Sequence, residues 1–133
     1  MGVNQTSPCF AGLPWLLLLY GAANLLHFAH NAEYLADHPN LPGWLSRSQV
    51  YVVWFCITAL GVVGYILHRI GHELAGLALV GCYAILGFDG LLHYTRAPIG
   101  AYTMAMNLSV WFEVVTAALL FGAVLMLATK RRR

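Results

Sequence analysis

The chain has 133 residues, 60% of them hydrophobic, with only 7 basic and 5 acidic side chains. Soluble domains carry charge on roughly a quarter of their residues, so a chain with 9% charged residues cannot cover a water-exposed surface. The formal net charge of +2 is no sign of a nucleic-acid partner, because four of the seven basic residues are the terminal run Lys130-Arg131-Arg132-Arg133 and no basic stripe precedes it.

Such a tail beside an apolar stretch reads as a membrane-surface anchor and orientation signal. The length allows one domain, 1–133. Within it lie four apolar stretches, about 13–34, 48–67, 74–94 and 101–129, each near the ~20 residues that cross a hydrocarbon core. Transmembrane strands are about half that length and alternate in polarity, so the expected fold is an all-α, integral membrane four-helix bundle with short loops.

Residues 1–12 lack Lys and Arg, so Leu16-Leu17-Leu18-Leu19 predicts a retained span rather than a cleaved signal. Met1-Gly2-Val3-Asn4-Gln5-Thr6 fits the loose myristoylation pattern, and Asn4-Gln5-Thr6 the glycosylation sequon, both weak signals. In the first span Tyr20, Asn24, His27, Asn31 and Tyr34 recur at spacings of 4, 3, 4 and 3, which puts them on one inward stripe. His30 lies about 60° to the side, with Glu33 three residues on, where the two can still meet at the seam's edge.

The turn Asp37-His38-Pro39-Asn40-Leu41-Pro42-Gly43 follows, with His38 expected to be exposed or to gate access to the interior. The second span predicts a seam of Tyr51, Trp54, Thr58, Gly61, Tyr65 and His68, with Gly61 and Gly64 as sites of close helix approach. His68 and His72 then flank Arg69 and Glu73 as solvated interface residues. In the third span the 3-4 count gives Leu79, Cys82, Leu86, Asp89, His93 and Arg96, and Arg96 is expected to pair with Glu33 or Asp37. In the fourth it gives Tyr102, Met106, Ser109, Glu113 and Thr116.

Cys9, Cys56 and Cys82 form no CxxC motif and read as small packing residues. Trp15, Trp44, Tyr94 and Tyr102 sit near span ends, where amphipathic rings prefer the headgroup zone. Four spans put both termini on the side of Arg69, giving five basic residues there against Arg47 and Arg96 opposite. The termini are therefore expected in the cytoplasm, and the chain in a bacterial inner membrane with lipid as its first partner.

An ionisable side chain at a helix centre costs about 2.5 to 3.5 kcal/mol, so each calls for a partner or a function. His27, His30, Glu33, Asp89 and His93 all fall toward the outer ends of their spans, with Glu113 nearer mid-depth. Together they predict a polar pocket in the outer half of the bundle. The leading expectation is a transition metal, copper, zinc or iron, held by His27, His30, Glu33, Asp89, His93 and Glu113, with Met104 or Met106 as a soft ligand. A variant is haem b with His27 and His93 as axial ligands.

Two alternatives stand beside it. The bundle is a structural subunit or scaffold, in a membrane complex or a homo-oligomer, whose polar groups fix helix register. Or it is an acid–base enzyme, isomerase-like, with Glu113 and Asp89 as catalytic groups on a lipid-like substrate.

Overall fold

The computed structural model describes residues 12–130. The myristoylation pattern, the sequon, Cys9 and Arg131 to Arg133 lie outside them. Every regular element among the described residues is helical. In chain order they are α1 (Leu13–Glu33), a 3₁₀ turn (Leu35–Asp37), α2 (Arg47–Arg69), α3 (Glu73–Leu86) and a 3₁₀ turn (Asp89–Leu92). A short α4 (His93–Arg96), a 3₁₀ turn (Ile99–Ala101) and α5 (Met104–Lys130) complete the chain. Four segments, Gly12–Glu33, Arg47–Arg69, Glu73–Arg96 and Met104–Lys130, are long and apolar enough to span a membrane.

Local chemistry explains the starts. Pro14 opens α1 in its first turn, where its missing N–H is not needed. At α2 the Ser46 hydroxyl accepts from the Gln49 N–H, and the Gln49 side chain accepts from the Ser46 N–H at 2.7 Å, a reciprocal capping box.

In the bundle α1 packs on α2 and α5, and α3 packs on the same two, so α1 faces α3 across a diagonal. Close packing replaces hydrophobic driving force between helices in lipid, and small residues permit it. A Cβ on Gly64 would stand 2.9 Å from the Val80 nitrogen and 3.0 Å from the Gly76 carbonyl oxygen, so α2 and α3 meet backbone to backbone. Gly61 lies flat against the Tyr83 ring. The same closeness buries His68, whose main chain Gly76 abuts, correcting its expected place at the solvated interface.

At the terminal end Leu13, Leu77, Val80, Ala117, Leu120, Val124 and Leu127 form an aliphatic plug around Tyr20 and Tyr83. Leu18, Val52, Phe55, Leu108 and Leu119 point outward as a lipid-facing girdle. Cys56 and Cys82 also face outward rather than into the packing.

The third span is not one straight helix. At Gly87 the backbone N–H turns to the Ala84 carbonyl at 3.1 Å, and Phe88 and Leu91 continue with three-residue bonds. The Tyr83 carbonyl, left without its helical donor, accepts instead from the Tyr20 hydroxyl at 3.0 Å. Each residue of 3₁₀ winding turns the chain roughly 20° further than α winding. Past the break, the face carrying Asp89 and His93 is therefore no longer continuous with Cys82 and Leu86, which face lipid.

Candidate functional site

The site is built from two helix faces. On α5, Met106, Ser109, Glu113 and Thr116 are all buried, as the uninterrupted spacing predicts. Opposite them, α1 supplies Asn24, His27 and Asn31, and the broken third span closes over them at Gly90.

The deepest pair is Glu113 and Asn24, both wholly buried, with Asn24 Nδ2 donating to Glu113 Oε1 at 2.5 Å. Glu113 Oε2 has no hydrogen-bond partner and lies 3.6 Å from His27 Nε2. A Cβ on Gly90 would come 3.4 Å from Oε2 and 3.6 Å from His27 Nε2, so glycine there leaves the pair uncrowded.

One layer outward, His27 Nδ1 and the Ser109 hydroxyl oxygen are 3.2 Å apart. Ser109 gives its single hydrogen to the Met106 carbonyl at 2.8 Å, so His27 Nδ1 must be the donor and its Nε2 an acceptor. Asn31 fits that tautomer, donating from Nδ2 to His27 Nε2 at 3.0 Å and standing 3.4 Å from His93 Nε2. Its Oδ1 lies 3.0 Å from His38 Nε2. The other His38 nitrogen, Nδ1, donates to the Tyr34 carbonyl at 2.7 Å, capping the end of α1. Met106 Sδ completes the group, 3.2 Å from His38 Nε2.

Three imidazoles thus turn Nε2 toward one carboxamide. The His93 ring lies 5.4 Å from that of His27 and 5.6 Å from that of His38, centroid to centroid. Its main-chain carbonyl is held by the Tyr102 hydroxyl. Burial pushes the Tyr102 phenol up, so it keeps the proton this bond needs.

Two openings meet at His38. A recess of about 30 Å³ is lined by His30, Tyr34, Asp37, His38, Tyr102, Thr103 and Met106. A pocket of about 180 Å³ is lined by His27, Asn31, His38, Asp89 and His93 together with Phe28, Leu35, Leu41, Leu45, Val50 and Val53. A larger groove of about 490 Å³ at the lipid face, between Leu17, Leu25, Gly61, Val62 and Tyr83, holds no histidine or carboxylate.

Of the residues expected here, His27, Asp89 and His93 share the pocket, Glu113 lies just beneath, and His30 is in the recess with its Nδ1 unpartnered. Glu33 is not brought in. Its carboxylate faces α2, 2.6 Å from Arg47 and 2.8 Å from the Tyr51 hydroxyl. Arg96 pairs with neither acid and exchanges hydrogen bonds with Asn40. Among the described residues no three His, Cys, Asp or Glu side chains stand where one ion could hold them. The Asn31 carboxamide occupies the point the Nε2 atoms face, and Glu33 has turned away.

His38 is the residue the spacing missed. Expected to be an exposed turn residue or to gate access to the interior, it is 8% exposed and central to the network. The 3₁₀ turn Leu35–Asp37 brings it back over the end of α1. The available signal was its distance of seven residues from Asn31, two turns of the same face.

No protein-family model matches this chain, and neither does any curated protein or solved structure.

Proposed function

We propose that this protein is a small membrane-embedded acid–base protein whose pocket takes a lipid-soluble molecule and moves a proton on it. The observation that carries the reading is the mixed lining of the pocket, in which aliphatic and aromatic side chains stand with three imidazoles, a carboxylate and a carboxamide. The apolar side chains hold the body of the substrate, and the polar ones meet its reacting end. Glu113 Oε2, without a hydrogen-bond partner and 3.6 Å from His27 Nε2, is on this reading the atom that holds the transferred proton, with the imidazole beside it. Such a proton is the currency of general acid–base chemistry.

A carrier or channel is disfavoured by the plug. Below Glu113 the interior is filled by Tyr20, Leu77, Val80, Ala117 and Leu120, so a proton reaching Glu113 leaves by the way it came. The bias of basic residues puts the pocket toward the outer leaflet and the Lys130 end in the cytoplasm, which C-terminal reporter fusions test.

The protein in mild detergent, incubated in deuterated water with a total lipid extract of its host membrane, tests the chemistry. At least one extract component should gain carbon-bound deuterium by mass spectrometry, and Glu113→Gln should abolish the gain. No gain above a protein-free control sinks the reading.

A second reading has one observation in its favour: the Nε2 atoms of His27, His38 and His93 all face the Asn31 carboxamide, with Met106 Sδ 3.2 Å from that of His38. If Asn31 swings aside, copper, zinc or iron takes that place. Elemental analysis of the purified protein decides it, with a stoichiometric metal lost in His93→Ala expected and metal-free protein counting against it. Haem suits the site less, because His27 and His93 meet edge to face at 5.4 Å with no gap for a macrocycle between them.

A further inference from the structure

The pocket's polar lining is almost entirely spent on itself. Asn31 uses its amide hydrogens toward His27 and His93 and its oxygen toward His38. Both nitrogens of His27 are engaged, by Ser109 and Asn31, and both of His38, by Tyr34 and Asn31. What remains for a ligand is one ring nitrogen of His93 and the carboxylate of Asp89.

Asp89 is exposed and lines the pocket. It enters no ion pair among the described residues. The other four acids are differently placed: Glu33 is neutralised by Arg47, Asp37 belongs to the recess, Glu73 sits in the first turn of α3, and Glu113 is sealed beneath. The pocket therefore presents one carboxylate that is in no ion pair among the described residues, an acceptor-only group, in a lining that also holds hydrocarbon side chains. An unpaired charge at such a place is costly, and a cation that neutralises it while bringing its own apolar body removes the cost on both sides. An ester, phosphate or carboxylate head brings acceptors where acceptors already stand.

We propose that the pocket binds a lipophilic amine, its protonated nitrogen on the Asp89 carboxylate and its hydrocarbon part against Phe28, Leu45, Val50 and Val53. This rests on the reading of the pocket as a ligand site and names the ligand's charge.

Octylamine, octan-1-ol and octanoate, matched in chain length, are titrated by calorimetry into the protein in lipid nanodiscs, with empty nanodiscs subtracted. Saturable binding of octylamine alone is expected, weakened at least ~tenfold in Asp89→Asn and kept in Asp89→Glu. The unfolding midpoint of each variant, measured alongside, identifies a folding failure, and Asp89→Glu then carries the test. Equal binding of octan-1-ol, or octylamine binding that survives Asp89→Asn, overturns the proposal. Deuterium uptake into lipid without amine binding would leave the acid–base reading standing and remove only this one.

Discussion

The Tyr20 hydroxyl donates to the main-chain carbonyl of Tyr83 at 3.0 Å, across the diagonal of the bundle, with the two rings 4.6 Å apart. That carbonyl is free only because the third span changes its winding at Gly87. The bond therefore stabilises the break, and the break sets where Asp89 and His93 stand. Tyr20→Phe keeps the ring contact and removes the donor, leaving a buried carbonyl unpaired. A loss of about 1 to 3 kcal/mol is expected in detergent unfolding.

Gly87 makes room for that bond. A Cβ there would lie 2.5 Å from the Tyr20 hydroxyl oxygen and 2.7 Å from the Ala117 Cβ. Gly87→Ala is expected to destabilise by about 1 to 3 kcal/mol, as overpacking does. Adding Ala117→Gly should recover part of that loss, a non-additivity that a double-mutant cycle reads directly.

Glu113 separates stability from chemistry. Glu113→Gln keeps an oxygen for Asn24 Nδ2 and the volume of the side chain, so the unfolding midpoint should move little while deuterium transfer stops. Glu113→Leu leaves the buried Asn24 amide without its acceptor and should cost about 1 to 3 kcal/mol. Deuterium transfer that survives Glu113→Gln would remove Glu113 from the reaction.

Asn31 ties three imidazoles together. Asn31→Ala should lower stability by about 1 to 3 kcal/mol, because His27 and His38 each lose a buried partner. On the metal reading the same change vacates the point the Nε2 atoms face and should raise copper or zinc uptake. Uptake that does not rise counts against that reading.

Glu33 serves as the contrast. Its contacts with Arg47 and Tyr51 lie at the exposed rim. Glu33→Ala should cost no more than about 1 kcal/mol, less at high salt, and should leave octylamine binding unchanged.

How much of this was legible in the sequence depends on whether the winding stays regular. On α5 the spacing from Met106 to Thr116 runs through unbroken helix, and every seam residue is buried. On α1 the stripe Tyr20, Asn24, His27 and Asn31 likewise forms the core of the site. In the third span a continuous count put Cys82 and Leu86 on one inward face with Asp89 and His93; Cys82 and Leu86 lie outside, and the 3₁₀ winding beyond Gly87 gives Asp89 and His93 a different phase. That break is held by Tyr20 and crowded by Ala117, contacts distant in sequence that no local pattern contains. His38 escaped for a similar reason, since a loop residue becomes central only once the chain has folded back on α1. Glu33 carried the right chemistry but met Arg47 first, across the loop that joins α1 to α2.

The aliphatic plug beneath Glu113 has an electrical consequence. Glu113 lies nine residues into α5 from Met104, roughly 14 Å along the helix axis, near the middle of a ~30 Å hydrocarbon layer. A proton passing between the pocket mouth and this carboxylate travels through part of the transmembrane field without ever crossing the whole of it. A full crossing is worth about 2.3 kcal/mol per 100 mV, so a mid-depth stop is worth about half. On the acid–base reading, the occupancy of this one buried oxygen by a proton is thereby coupled to membrane voltage.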